Sequence, residues 1–439
     1  MEPKTSAADR WQDANRSNPD FVVYIPIGDE AHTHVDESAT RDIYDRDNVS
    51  FLVTPTPPGT FLGFWTQATR VHGPDQRVVV ARSRDRGQTW SRPTVIDGPE
   101  KSTEHIASWA FPVVVPHSGR VYCFFHKNVG PVDVDPALTG MLAYRYSDDD
   151  GLTWSERFQV SIARSAIDDP NPKMLSNWVP TGWETPIVNA RGQVICGFTR
   201  WASNAYDYHE NSNLRWRHHE TWFLRFDNIF TEPDPAKLSV TTLPDAEHGI
   251  QVPRPDNSKI SVAMEPSIEN LSDGRLICLI RTLTGYIWYS ISDDFGETWL
   301  PAEVLRFVPG GPPVPHPSAP CPLYKLRDGR FVLFFHNNDG TANGGTGPAD
   351  SRGRRPVWIS VAREIHNPGG QPLMFGRPKV LLDNDNAKAV VSERIGGLAN
   401  YGSFVEYGGL CYWWYADRMH YLLGKIIRDE LLDDAWLPR

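Results

Sequence analysis

The sequence has 439 residues, of which 40% are hydrophobic, enough for a buried core, and its formal net charge is −10. That balance argues against nucleic-acid binding, which needs Lys and Arg clustered against phosphates, and no run of 18 apolar residues reads as a membrane-spanning helix. The aromatic content (16 Trp, 15 Tyr, 19 Phe) together with 37 Pro and 34 Gly favours many short strands joined by turns over helices.

From the N-terminus, MEPKTSAADRWQD lacks the apolar stretch of a secretory leader, so a cytoplasmic protein is expected, or a secreted one if a leader has been removed. Residues 1–20 read as a tail. FVVYIPI, residues 21–27, reads as a strand that returns to pair beside the end of the chain and so hides two open sheet edges. His32, His34 and Asp36 have metal-ligand types, but no second cluster completes a site, and neither a metal nor another cofactor is expected. The five cysteines form no CxxC and make an odd count; four lie in apolar runs and read as reduced core thiols.

A repeat then runs through the chain. A turn glycine precedes an apolar run at Gly59, Gly119, Gly192, Gly274, Gly329 and Gly408, with spacings of 60, 73, 82, 55 and 79 residues. The runs FLGFWT, VYCFFH, VICGFTR, LICLIR, FVLFFH and LCYWWY are near-continuously apolar, as strands covered on both faces are. Each spacing accommodates a four-stranded blade. The expectation is one all-β domain over residues 1–439, a β-propeller of six blades, or seven if residues before Asp47 supply another. Ser83–Trp90, Ser147–Trp154 and Ser292–Trp299 each fit S-x-D-x-G-x-x-W. In such an Asp box the Ser and Asp side chains bond turn amides, Gly takes a positive φ and Trp packs beneath, so the boxes are assigned to structure and not to chemistry.

In a propeller the ends of the inner strands line the pocket. The sixth residues of the apolar runs are therefore candidates: Thr66, His126, Thr199 with Arg200, Arg281, His336 and Tyr415. Two histidines and two arginines at such positions suit an anionic ligand. Glu184 in WETPIV lies 16 residues before Arg200, and Glu265 in MEPSIE lies 16 before Arg281, which would set each carboxylate near its arginine on neighbouring strands. Either pair reads as a structural ion pair orienting the arginine or as an acid–base pair. Tyr401 occupies the corresponding neighbourhood of the last blade. Trp109, Trp183, Trp201 and Trp413 are candidates for stacking on sugar faces. His218 and His219, within the charged stretch from Asn211 to Trp222, read as rim residues.

MEPSIENLSDGRLICLIRT followed by SDDFGETW resembles the BNR-repeat family that includes exo-sialidases, and the resemblance covers residues 45–420. Sialidases carry a Glu, an Arg sixteen residues on, and a late Tyr followed closely by Ser, an order matched by Glu265, Arg281 and Tyr401-Gly402-Ser403. The resemblance implies that the all-β fold is a sialidase-like β-propeller and that Tyr401 is a nucleophile activated by Glu265, with Arg281 on a substrate carboxylate. The histidines resemble those of sialidase-like polysaccharide lyases, the ulvan and rhamnose–glucuronate lyases: His105 and His126 are 21 residues apart, Arg200 matches the later arginine, and the lyase tyrosine falls on Glu184. Elimination across a uronate needs a cation on the carboxylate, a base of near-neutral pKa and an acid for the leaving oxygen. Arg200 and Arg281 fit the first part, His105 or His126 the second, and the other histidine, Tyr401 or Glu184 the third. The leading expectation is thus an enzyme cleaving an acidic, uronate-containing oligo- or polysaccharide by β-elimination, with His336, Trp183 and Trp201 among the substrate contacts. The alternatives are an exo-acting hydrolase of sialidase or rhamnosidase type and a non-catalytic carbohydrate-binding propeller.

Overall fold

The computed structural model describes residues 7–26, 45–99, 105–129, 139–168, 175–202, 218–367, 369–385, 397–398, 400–435 and 437. His32, His34 and Asp36, Ile27 of the N-terminal strand and residues 211–217 lie outside them. The chain forms two compact units. One comprises Met1–Ser161, Gly182–Thr185 and Leu382–Ile426; the other comprises Ile162–Thr181, Pro186–Leu381 and Ile427–Arg439. Among the described residues the only α-helices are Ala7–Ala14 and Asp429–Leu432, and no helix is long and apolar enough to cross a membrane.

The first unit contains three antiparallel meanders. Asp47–Pro55, Phe61–Ala68, Arg77–Ser83 and Thr94–Asp97 pair in chain order, as do Ala107–Val114, Val121–Asn128, Thr139–Ser147 and Phe158–Val160. In the third, Ser403–Tyr407, Leu410–Asp417 and Tyr421–Ile427 are completed by Phe21–Tyr24, which lies antiparallel to Tyr421–Ile427. The second unit repeats the pattern. Ser176–Pro180 and Ile187–Val188 share the partner Val194–Trp201, followed by His219–Phe226 and Val240–Leu243. Next come Met264–Asn270, Leu276–Arg281, Trp288–Ser292 and Glu303–Val304, and then Leu323–Lys325, Phe331–Phe335, Val357–Glu364 and Leu373–Phe375.

Every apolar run after a turn glycine is the second strand of its sheet. These strands are buried on both faces because the core lies between successive sheets. In the first unit Phe64, Val78 and Val80 pack with Val121, Cys123 and Phe125. In the second, Ile195, Phe223 and Leu243 pack with Leu276, Cys278 and Ile280, and Leu279 and Tyr289 with Leu333 and Phe335. Cys123, Cys196, Cys278 and Cys321 are buried thiols that form no disulfide among the described residues.

The Asp boxes join third to fourth strands, and the Ser292–Trp299 box lies at the end of its sheet away from Arg281. In each, the serine hydroxyl accepts the glycine amide at 2.8–2.9 Å and the aspartate accepts the amide four residues on. The tryptophans pack on their own cores and also reach the preceding sheet: Trp90 meets Trp414 edge-on at 5.5 Å, Trp154 meets Phe64 at 6.0 Å, and Trp299 stacks on Phe223 at 4.4 Å. Gly87, at φ 91°, is doubly constrained, since a Cβ there would come within 2.3 Å of Trp414.

Of the N-terminal stretch expected as a tail, the described residues from Ala7 onward include a helix that is docked. Arg418 has no exposed surface, and a buried guanidinium needs carboxylates. Asp417 supplies one, and Asp13, at the end of the helix Ala7–Ala14, supplies the other at 2.8 Å while also accepting the Tyr421 hydroxyl.

Candidate functional site

The first strands of three of the sheets share a β-bulge that turns one residue into the left-handed region. Ser50 (φ 57°), Trp109 (φ 55°) and Glu265 (φ 44°) occupy it, each just after a residue paired with the sixth position of the adjacent run: Val49 with Thr66, Ser108 with His126, Met264 with Arg281. A bulge leaves a ladder amide unpaired and re-aims a side chain. Thr66 Oγ1 accepts the Trp109 amide at 2.7 Å in the first unit, and Thr199 Oγ1 accepts the Glu265 amide at 2.6 Å in the second. These two threonines cap the bulge of the next sheet. The sixteen-residue Glu–Arg interval is therefore a hairpin plus one bulge residue.

In the second unit Glu265 and Arg281 form an ion pair, Oε1 to Nη1, at 2.6 Å. Both side chains keep some exposure (15% and 10%), and Arg281 Nε also donates to Ser318 Oγ at 3.1 Å. Behind them His316 and His336 stack in parallel, centroids 5.4 Å apart, with no exposed ring edge on His336. His316 Nδ1 accepts the His336 amide at 3.1 Å, so its Nε2 carries the proton and donates to the Ala319 carbonyl at 2.9 Å. Burial pushes His336 down to about 3 and holds His316 well below the usual imidazole range, so both are neutral. His336, expected at the substrate, is instead part of the wall behind Arg281. His316 gave no sequence signal because the Pro-rich HPSAPCP stretch has no periodicity.

Arg200 is fully buried. Its Nη1 donates to Asp168 and to Ser176 Oγ (3.0 Å), its Nη2 to the Ala163 carbonyl (2.8 Å), and its guanidinium lies 4.4 Å above the Trp222 ring. That charge is spent within the core, on a carboxylate from the 3-10 turn Ala166–Asp168, and is not open to substrate. Trp201 is half-buried and meets His219 edge-on at 4.7 Å.

In the first unit His105 is exposed, and its carbonyl accepts Lys127 Nζ at 2.6 Å. His126 has no exposed surface and packs edge-on against Trp109 at 5.6 Å, so proton exchange with a substrate is closed to it in this arrangement. Trp183 and Trp413 are buried, which removes them as stacking platforms, and Glu184 is 5% exposed. Tyr401 is half-buried, its carbonyl accepting the Phe51 amide at 3.2 Å.

Sequence reasoning missed Glu220, which is fully buried yet receives four donors: His248 Nδ1 (2.8 Å), Gln251 Nε2 (2.8 Å), the Gly249 amide (3.0 Å) and Trp222 Nε1 (3.2 Å). Burial works to raise the Glu220 carboxyl, but these bonds hold it below the usual range, and the bond to Glu220 raises His248. Glu220 and His248 are 28 residues apart, an interval no motif marks. Among the described residues no group of three or more His, Cys, Asp and Glu could hold a metal ion.

Meanders of this kind, with inner-strand bulges and Asp boxes, define an all-β propeller of the sialidase-like type. The NanB sialidase of Streptococcus pneumoniae superposes with a TM-score of 0.61 at 12% identity, over 94% of this chain and 71% of that one. The leech intramolecular trans-sialidase, solved with 2,7-anhydro-Neu5Ac, gives 0.57 at 14% identity over 94% and 71%. A Dyadobacter fermentans protein of unknown function gives 0.55 at 12% over 94% and 99%. At such identities the likeness establishes the fold. The chain belongs to the BNR repeat-like domain family, whose pattern matches residues 59–367. No curated protein sequence matches it.

Proposed function

We propose that this protein is a carbohydrate-active enzyme of glycoside-hydrolase type whose substrate carries a carboxylate. The carrying observation is the Glu265–Arg281 pair. Arg281 is oriented from two sides, by Glu265 at 2.6 Å and Ser318 at 3.1 Å, while retaining exposed surface. A guanidinium fixed in this way meets a planar carboxylate with paired hydrogen bonds and little reorganisation. Glu265, held by its bulge, keeps the arginine in place and offers a carboxylate for proton transfer. The resemblance to sialidases supports the nucleophile's role for Tyr401. The leech trans-sialidase is solved with 2,7-anhydro-Neu5Ac, which supports an acidic sugar as the ligand class.

Elimination from a uronate is the second reading, drawn from His105, His126 and Arg200. The burial of His126 and Arg200 weighs against it. Three meanders in each unit support the reading of six blades.

The test is a panel of methylumbelliferyl glycosides of sialic and glucuronic acid together with rhamnose–glucuronate oligosaccharides. Release of aglycone or reducing ends, lost in Arg281→Ala and Glu265→Gln, is expected. Ultraviolet absorbance of an unsaturated uronate would establish elimination instead, and saturable binding without product would establish a lectin.

A further inference from the structure

The second unit carries another built arrangement, at the same end of its sheets as Glu265 and Arg281. The chain leaving Val240–Leu243 returns along this end, where Ile250 exchanges both backbone hydrogen bonds with Thr221 at 2.9 and 3.1 Å. Thr221 is the strand partner of Thr199, and Thr199 caps Glu265. The loop is also linked directly to the segment leading into Glu265, where the Val252 carbonyl accepts the Val262 amide at 2.8 Å. It therefore borders the strand that carries Glu265, on the course of a neighbouring unit of the same glycan.

His248 sits on this loop with its side chain 40% exposed and its Nδ1 on Glu220 at 2.8 Å. With Nδ1 committed, Nε2 is the edge left for a ligand. The other three groups bonded to Glu220 are neutral, so the charge opposite this buried carboxylate falls to His248. The surrounding charges agree. On the strand side His218, 4.0 Å from Glu220, is pushed down by burial to about 4 and stays neutral; Arg200, opposite Glu220, is held by Asp168; on the loop itself Glu247 adds negative charge beside His248. Protonated, His248 presents Nε2–H as a donor; neutral, with Nδ1–H on Glu220, it presents only a lone pair.

We propose that His248, fixed by Glu220, forms an outer subsite that donates from Nε2 to the carboxylate of a second acidic sugar, so that the enzyme takes glycans with at least two acidic units. The inference rests on the hydrolase reading and specifies its substrate. Glu220 positions; His248 binds.

The experiment compares a methylumbelliferyl glycoside of one acidic sugar with an oligosaccharide carrying two such sugars, in wild type, His248→Gln and Glu220→Gln, with melting temperatures as a fold control. His248→Gln is expected to raise KM for the oligosaccharide about tenfold, the usual worth of a hydrogen bond to a charged group, while kcat and KM for the single-sugar glycoside stay within about twofold. In wild type the oligosaccharide KM rises as pH is raised through the His248 pKa; in the variant it is flat. If His248→Gln behaves as wild type on the oligosaccharide, or loses activity equally on both substrates, the subsite is refuted and the hydrolase reading stands. If wild type turns over neither substrate, both fail together.

Discussion

Thr199 and Glu265 are joined by a single hydrogen bond, in which the threonine hydroxyl of one sheet accepts the left-handed glutamate's amide of the next at 2.6 Å. The same device links Thr66 to Trp109. Thr199→Val keeps the shape but leaves that amide without an acceptor, so a stability loss of about 1–3 kcal/mol is expected. Because Glu265 loses its anchor, kcat should fall as well, and Thr199→Ser should restore both. Denaturant titration with parallel rate measurement checks this; unchanged kcat in the valine variant would show that the bulge holds itself.

Arg200 and Asp168 form a core pair, and removing one partner strands a buried charge. Arg200→Ala should destabilise by about 3–5 kcal/mol, whereas Arg200→Met combined with Asp168→Leu should recover most of that loss. The double variant should still bind an acidic glycan, as titration calorimetry would show. Loss of binding in a well-folded double variant would return Arg200 to the substrate.

Tyr401→Phe separates the two chemistries. In a hydrolase that uses this tyrosine as nucleophile, the loss of rate should rival that in Arg281→Ala, while His105→Ala retains most activity. The reverse ranking, with His105→Ala down by about 10²–10⁴, the usual worth of a positioned acid or base, would restore the elimination reading.

Trp299 stacks on Phe223 at 4.4 Å, tying one sheet to the one before it. Trp299→Ala should cost about 2 kcal/mol or more by leaving a gap between the sheets, with KM for any substrate unchanged because the Asp box lies at the far end. Calorimetry and a substrate titration suffice to check both halves.

His336 and His420 are neutral because burial depresses them, to about 3 and about 4. Unfolded, each titrates near about 6.5. Below that value the unfolded chain takes up protons that the folded protein refuses, so stability is level above it and declines as pH falls. The decline from pH 7 to pH 5 should be about 2 kcal/mol per histidine. Denaturant melts at the two pH values, with His336→Gln showing a shallower slope, test this.

The sheets were legible in the sequence because a glycine turn followed by a doubly covered strand leaves an unmistakable apolar run; FLGFWT and LICLIR are both second strands. The interval from Glu265 to Arg281 likewise survived into geometry, since both ends belong to one hairpin. The same interval misled at Arg200, whose carboxylate comes from Asp168 in an irregular turn that has no period to read. Sixth positions were also ambiguous. A strand covered on both sides does not reveal whether its last side chain points to solvent, as Arg281 partly does, or into packing, as His126 and His336 do. Asp13 in an apparent tail was invisible for a related reason: only the buried Arg418, more than four hundred residues later, explains it.

Phe21–Tyr24 reaches Tyr421–Ile427 from the opposite terminus, held there by hydrogen bonds and by Phe21 against Trp414. That seam is the one place in the sheet where neighbouring strands are not joined through a short turn. Trimming the chain past Tyr24 would bare the edge of Tyr421–Ile427, a template that the same segment of another copy fits as well as its own. The contacts of one four-residue strand with one edge thereby decide whether that edge stays covered, and a bulky fusion placed close before Phe21 would loosen them.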